Sequence, residues 1–262
     1  MAEPLRVLVV SDEMEVGGSQ RQIASLLRAL PREQCHVELA YFRQPSFLVD
    51  DIEHAGIAVH RIDKRGRVDP AFLLRLARFL RNGRFDVVHC FSFTAELWVR
   101  LALLLAPGAA MVASMRDMGH GLTPLQWRIK RRVCRGARAV FSNSARAAER
   151  IRSMLDPAQP VHVIANGIDV PAPLEFADQQ ALRSEMGAGA EVDDGRALAL
   201  FVGRLAHQKN VDLLLTALAA LPPARRPRTA LAGSGPLREA LQARVGVLGL
   251  ADRYSERNDK GE

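Results

Sequence analysis

Seven short runs of β-branched and other apolar residues, at 5–10, 37–42, 57–61, 85–90, 110–114, 137–141 and 161–164, alternate with stretches of helical periodicity. Continuous apolar runs of this length fit strands buried on both faces, and strands separated by helices pair in parallel through right-handed crossovers. The expected fold class is therefore α/β, a doubly wound parallel sheet with helices on both faces. Boundary signals support the alternation. Ser19 and Gln22 have capping-box spacing ahead of Ile23, Leu26, Leu27 and Leu30, and Pro31 stops that helix. Asp69-Pro70 opens a helix through Leu80 that Asn82-Gly83 closes, and further helices are expected at 47–54, 94–105 and 145–155. Thr123, Pro124 and Gln126 start a basic helix, Pro124–Arg135.

After Asn166-Gly167-Ile168-Asp169 the periodicity stops. Residues 170–176 are Pro-rich and read as a linker, which divides the protein into a first domain at 1–169 and a second at 177–262. The second reads as a short helix at 178–186, an acidic loop, a strand at 197–202, a helix at 211–221, a strand at 229–231 and a helix at 237–248. The polar tail RYSERNDKGE has no core pattern. With two strands, the second domain is expected to be incomplete and the protein truncated at its C-terminal end.

Three loops at strand ends carry chemistry. In FVGRLAHQKN, Gly203 lets the backbone approach a ligand, Arg204 and Lys209 flank the turn, and Asn210 is placed to cap the helix beyond. Two cations beside the N–H groups of a helix start suit a diphosphate. Gly233, Ser234, Gly235 and Pro236 repeat the pattern of strand, Gly-rich turn and helix. Gly17 and Gly18 stand where the first strand hands over to its helix, either as a plain tight turn or as a ligand loop; no GxGxxG fingerprint is present. His89, at a strand end, reads as a core histidine or as a base. Asp193-Asp194 reads as a solvated loop, and neither the acids nor the histidines have metal-ligand spacing.

A net charge of +7 calls for an anionic partner. Two Tyr and two Trp, none interleaved with basic runs, argue against a base-stacking nucleic-acid surface. Arg128, Lys130, Arg131, Arg132 and Arg135, beside Trp127 and Ile129, make the helix Pro124–Arg135 a candidate contact for an anionic membrane surface. Cys35, Cys90 and Cys134 are odd in number and lack CxxC spacing, as in a reducing cytosol. The N-terminal apolar run is too short for a signal sequence, and the apolar stretch 97–112 is broken by Arg100, Pro107 and Gly108. The expected location is cytoplasmic, with peripheral contact at the membrane through the basic helix.

The GG pair, NGID, FVGRLAHQKN and LAGSGPLREAL, in this order and at these separations, resemble the GT-B glycosyltransferases and, more narrowly, the retaining family 4 enzymes that use nucleotide-diphosphate sugars. The resemblance runs from Leu5 to about Asp252. It implies two Rossmann-like domains, acceptor on the first and donor on the second, with Arg204 and Lys209 meeting the charge of the leaving diphosphate. Gly17, Gly18, Gly203, Gly233 and Gly235 then belong to the donor-diphosphate loops. The implied partners are a nucleotide sugar, UDP-linked by the family pattern, and a glycan or lipid-linked acceptor; no metal and no other cofactor is implied. Many relatives carry a His where this protein has Arg116-Asp117, with His120 following, which leaves open which of the three contacts the acceptor. The family's paired glutamates would lie beyond Glu262. A GT-B sugar-nucleotide epimerase and a non-catalytic nucleotide-binding remnant are the competing readings.

Overall fold

The computed structural model describes residues 3–119, 121–168, 170, 172, 173, 175–183, 197–251 and 254–257. The protein divides into two compact units, Met1–Asp169 and Val170–Glu262. In the first, β1 (Leu5–Ser11), α1 (Gly18–Ala29), β2 (Cys35–Tyr41), α2 (Phe47–His54), β3 (Ala58–Arg61), α3 (Pro70–Gly83) and β4 (Val87–Cys90) lead to α4 (Phe93–Leu105). Then follow β5 (Ala110–Met115), α5 (Pro124–Arg135), β6 (Ala139–Ser142), α6 (Ala145–Arg152) and β7 (Val161–Val163). The seven strands form one parallel sheet in the order β3-β2-β1-β4-β5-β6-β7.

Successive residues of a strand face opposite sides of the sheet, and both sides are covered, so residues 8–11 of β1 and 111–115 of β5 are buried without a break. On β1, Leu8 and Val10 face one core with Phe72, Leu76 and Val99 of α3 and α4, whereas Val9 faces the other with Ile23, Leu27 and Ile52 of α1 and α2. Each large apolar group so enclosed contributes about 2 kcal/mol of transfer free energy. The strand order reverses between β1 and β4, which lie side by side with Val10 opposite Cys90. Connections leave those two strands toward opposite faces, so a crevice opens beyond their carboxyl ends.

In the second unit, α7 (Phe176–Arg183), β8 (Leu198–Val202), α8 (Val211–Ala220), β9 (Arg228–Ala232), α9 (Arg238–Val247) and β10 (Tyr254–Arg257) occur in sequence order. Leu205, Val211, Leu215, Leu231, Leu241 and Val245 form the core of this unit. The three strands pair in parallel in the order β10-β9-β8.

Several expectations need correction. The second unit has three strands where two were expected, since Tyr254–Arg257, within the polar tail, pairs with Thr229–Ala232. Ladder pairing is made by backbone groups and needs no apolar signature in the added strand. Phe176 is the first residue of α7 rather than the last of a linker. The capping box on α1 does not form: the helix starts at Gly18 with Gly17 as N-cap and no side-chain cap bond, because Gln22 is used elsewhere. Thr123 and Gln126 do form theirs on α5. Among the described residues no helix is long and apolar enough to cross a membrane.

Candidate functional site

A cleft of about 400 Å³ lies at the crevice in the first unit. Ser11, Asp12 and Glu13 continue β1 along its rim, Ser19 and Gln20 come from the first turn of α1, and Phe91 and Ser92 bridge β4 to α4. Ser114, Met115, Arg116 and Asp117 line it from the end of β5, and Lys130 of α5 closes its floor.

The floor is an ion pair that the sequence did not announce. Glu96 on α4 is 0% exposed and Lys130 is 3% exposed. Lys130 Nζ donates to Glu96 Oε1 and Oε2, each at 2.6 Å, and to the Ser114 carbonyl at 2.7 Å. Glu96 Oε1 also accepts from the Ser114 backbone N–H at 2.8 Å. The pairing of β5 with β4 ends at Val112, two residues earlier. The carboxylate and the ammonium thus stand in for a neighbouring strand, one taking the N–H of Ser114 and the other its C=O. Burial raises the pKa of Glu96 while Lys130 lowers it again, leaving a net rise. Burial lowers that of Lys130, but Glu96 more than reverses this and holds the amine above its ordinary range. Lys130 is therefore not part of an exposed basic stripe; Arg128, Arg131, Arg132 and Arg135 are the cations that α5 shows to solvent.

Arg116 and Asp117 both line this cleft. The Arg116 guanidinium lies 5.1 Å from the centroid of Phe91, and its Nη2 donates to Asn166 Oδ1 at 2.8 Å. Its Nε is withdrawn from solvent with no hydrogen-bond partner among the described residues. Partial desolvation lowers its pKa below the ordinary guanidinium range. Asp117 turns back on its own loop and accepts from the Gly119 N–H at 2.6 Å. His120 lies outside the described residues. The NGID segment is tied to the same wall: Gln22 Nε2 donates to the Gly167 carbonyl at 2.6 Å, and the Gly167 N–H donates to Gln22 Oε1 at 3.0 Å. One side-chain amide satisfies both backbone groups of one residue. Asp169 is outside the described residues, as are Asp193 and Asp194.

Gly17 has extended backbone geometry and a Cβ at Gly18 would meet open space, so neither glycine is forced by strain. His89 is a satisfied histidine, with Nε2 3.0 Å from Ser114 Oγ and its ring packed 4.5 Å from Phe91 and 5.4 Å from Phe141. Burial first, and the nearby Arg116 charge second, lower its pKa to about 4, so it is neutral at pH 7.

In the second unit, Arg204 and Lys209 are both exposed in the loop that follows β8, Lys209 as the last residue of a short turn, and neither has an ion-pair partner among the described residues. Asn210 does not cap α8 with its side chain; it takes a left-handed conformation, φ 50°, that links a 3-10 turn at His207–Lys209 to the helix. Gly233 and Gly235 have a steric reason to be glycine. A Cβ at Gly233 would lie 2.1 Å from the Gly203 carbonyl oxygen, and one at Gly235 would lie 2.3 Å from that of Leu205. The two loops run backbone against backbone, held by Gly203 N–H to Ala232 O at 2.9 Å and Leu205 N–H to Ser234 O at 2.8 Å.

Residues 16–171 match the model of Glycosyltransferase Family 4, and residues 184–255 match that of Glycosyl transferases group 1. An alpha-D-kanosaminyltransferase from Streptomyces kanamyceticus is 35% identical over 130 residues, covering 48% of this chain and 32% of the relative. A GalNAc-alpha-(1->4)-GalNAc-alpha-(1->3)-diNAcBac-PP-undecaprenol alpha-1,4-N-acetyl-D-galactosaminyltransferase from Campylobacter jejuni is 24% identical over 263 residues, covering 94% of this chain and 66% of the relative. Among solved structures, Anabaena HepE in complex with UDP and glucose superimposes with a TM-score of 0.82 at 16% identity, over 97% of this chain and 69% of that one. The protein thus spans about a third to two thirds of the length of these two sequence relatives. The structural likeness fixes the fold as that of the GT-B glycosyltransferases.

Proposed function

Because the protein belongs to Glycosyltransferase Family 4, we propose that it serves sugar transfer from a nucleotide-diphosphate sugar to a glycan or lipid-linked acceptor, with retention of configuration and without a metal. The observation that carries this reading is the presence of two cations, Arg204 and Lys209, in the loop that follows β8, both exposed and without ion-pair partners among the described residues. As the bond between the sugar and the diphosphate breaks, negative charge grows on the departing oxygen. Two cations already in place beside it lower the barrier without reorganising. A UDP-linked donor is favoured by the HepE complex, which binds UDP. The cleft of the first unit is assigned to the acceptor, with Arg116 and Asp117 on its wall. His89 is not offered as a base, since its Nε2 is bonded to Ser114 and its ring is packed between two phenylalanines.

Calorimetry with UDP tests the donor side. Each charge-assisted contact is worth about 1.5 to 3 kcal/mol, so Arg204→Ala and Lys209→Ala should each weaken UDP binding roughly tenfold to a hundredfold. Unchanged affinity in both variants would remove the diphosphate assignment. The reading also includes peripheral attachment through α5, now with four exposed arginines rather than five cations. Each contributes on the order of 1 kcal/mol at an anionic surface. Recovery with phosphatidylglycerol vesicles but not with phosphatidylcholine vesicles in a flotation assay is the expected result.

A further inference from the structure

Five charged residues line the cleft of the first unit, and four of them are already engaged. Asp12 is paired with Arg43 at 2.7 Å and Glu13 lies 3.9 Å from the same guanidinium. Asp117 accepts from Gly119, and Lys130 is committed to Glu96 and Ser114. Arg116 differs. It has no carboxylate within ion-pair distance among the described residues, although it is partly removed from water, and its only side-chain hydrogen bond there is to a neutral amide. Holding a partly desolvated cation without a counter-charge costs free energy that a paired or solvated arginine does not.

The geometry of the group says what would complete it. The edge of a guanidinium formed by Nε and Nη2 is the fork that receives both oxygens of a carboxylate or two oxygens of a phosphate. On Arg116 that edge is half used: Nη2 reaches Asn166 Oδ1, and Nε has no partner among the described residues. Phe91 lies against the guanidinium, and Asn166 belongs to a segment itself fixed by Gln22 through Gly167. The cation is therefore preorganised at the wall of the cleft, so little conformational entropy remains to be lost on binding.

We infer that Arg116 makes this cleft a receptor for an oxyanion carried by the sugar acceptor, a carboxylate or a phosphate ester. The inference rests on the acceptor-side reading of the first unit. The donor's own diphosphate has its cations on the second unit, Arg204 and Lys209, which leaves Arg116 for the other substrate. An acidic or phosphorylated glycan supplies the missing pair of oxygens, displaces Asn166 from Nη2 and takes Nε at the same time. A neutral glycan offers no such exchange.

Calorimetry on the 262-residue protein in low-chloride buffer, with glucuronate, glucose 6-phosphate, glucose and UDP as separate probes, tests this. Glucuronate and glucose 6-phosphate should bind where glucose at equal concentration does not. Arg116→Gln should weaken both about tenfold or more, the loss expected for a charge-assisted contact. Asn166→Asp should do the same while leaving Arg116 in place, because an internal carboxylate fills the fork, and it carries the test if Arg116→Gln fails to fold. Arg116→Lys should retain part of the affinity as a point charge without the fork. UDP binding should be unchanged in all three. Equal binding of glucose, or indifference of both anions to Arg116→Gln and Asn166→Asp, would overturn the inference. So would loss of UDP affinity instead, which assigns the oxyanion to the donor. Absence of UDP binding by the unaltered protein would count against the sugar-transfer reading and leave the Arg116 comparison readable.

Discussion

Replacing Lys130 by Met keeps the length of the side chain and removes its charge. Glu96 would then be a carboxylate with no exposure and a single remaining hydrogen bond, from the Ser114 N–H, while the Ser114 carbonyl would lose its ammonium donor. Breaking one side of a buried pair costs about 3–5 kcal/mol, which is a large share of the roughly 5–15 kcal/mol that holds a domain folded. Glu96→Leu together with Lys130→Met removes the stranded charge but leaves the Ser114 N–H and C=O both unpaired, at about 1–3 kcal/mol each. The double variant should therefore lie near or above the single in stability, and far above the sum of two single losses. The coupling should amount to about 2 kcal/mol or more. Urea denaturation is a direct assay, because both tryptophans of the protein, Trp98 on α4 and Trp127 on α5, belong to the first unit and report on it alone. Loss of less than about 1 kcal/mol in Lys130→Met at pH 7, or strict additivity in the double variant, would refute the view that the pair replaces a strand. The pH dependence has a definite sign. The amine is raised in the folded state above 10.5, so its contribution is complete below that value and is lost as the pH rises through the higher folded value.

Two other outcomes follow from the same geometry. His89 has a folded pKa of about 4 against an ordinary 6.5, so the unfolded state binds the extra proton between these values; stability should fall as the pH drops through that window, by about 2 kcal/mol from pH 7 to 5, and a urea midpoint series on His89→Gln should show a flatter dependence. Gly235→Ala places a Cβ against the Leu205 backbone and should cost about 1–3 kcal/mol; native-state proteolysis of the second unit should register this, and equal resistance to cleavage would show that the loops can part.

Local signals in the sequence were reliable where the partner was local. Thr123, Pro124 and Gln126 mark the start of α5 because the capping bonds join residues three apart. The same logic failed at Ser19 and Gln22, where the amide is taken by Gly167, 145 residues away. Lys130 looked like one more cation on a basic helix because its partner Glu96 is 34 positions distant. A clue was present: Glu96 is the only acid in α4, whose other residues are apolar apart from Thr94 and Arg100, a place where an unpaired carboxylate would be costly. Arg116 and Asp117 were picked out from the loop they occupy, but the half-used fork of Arg116 depends on Asn166, which is 50 residues on. Strand Tyr254–Arg257 was illegible because its pairing uses backbone groups that every residue carries.

The backbone contact of Gly233 with Gly203 and of Gly235 with Leu205 bears on how genetic data from this protein should be interpreted. Any codon change that replaces a glycine by another amino acid introduces a residue with a Cβ, and here that atom would fall 2.1 to 2.3 Å from a carbonyl oxygen. In a saturation screen both positions should therefore score as intolerant as the loop that bears Arg204, on packing grounds alone and whether or not either touches a ligand. On the diphosphate reading proposed above, intolerance at Arg204 and Lys209 would report on chemistry, since both residues are exposed and have room to change. A screen that counts growth alone would merge the two classes, and one that also measures protein abundance should separate them: the glycine variants should deplete the protein, and the arginine and lysine variants, on the proposed diphosphate reading, should leave it abundant and inactive.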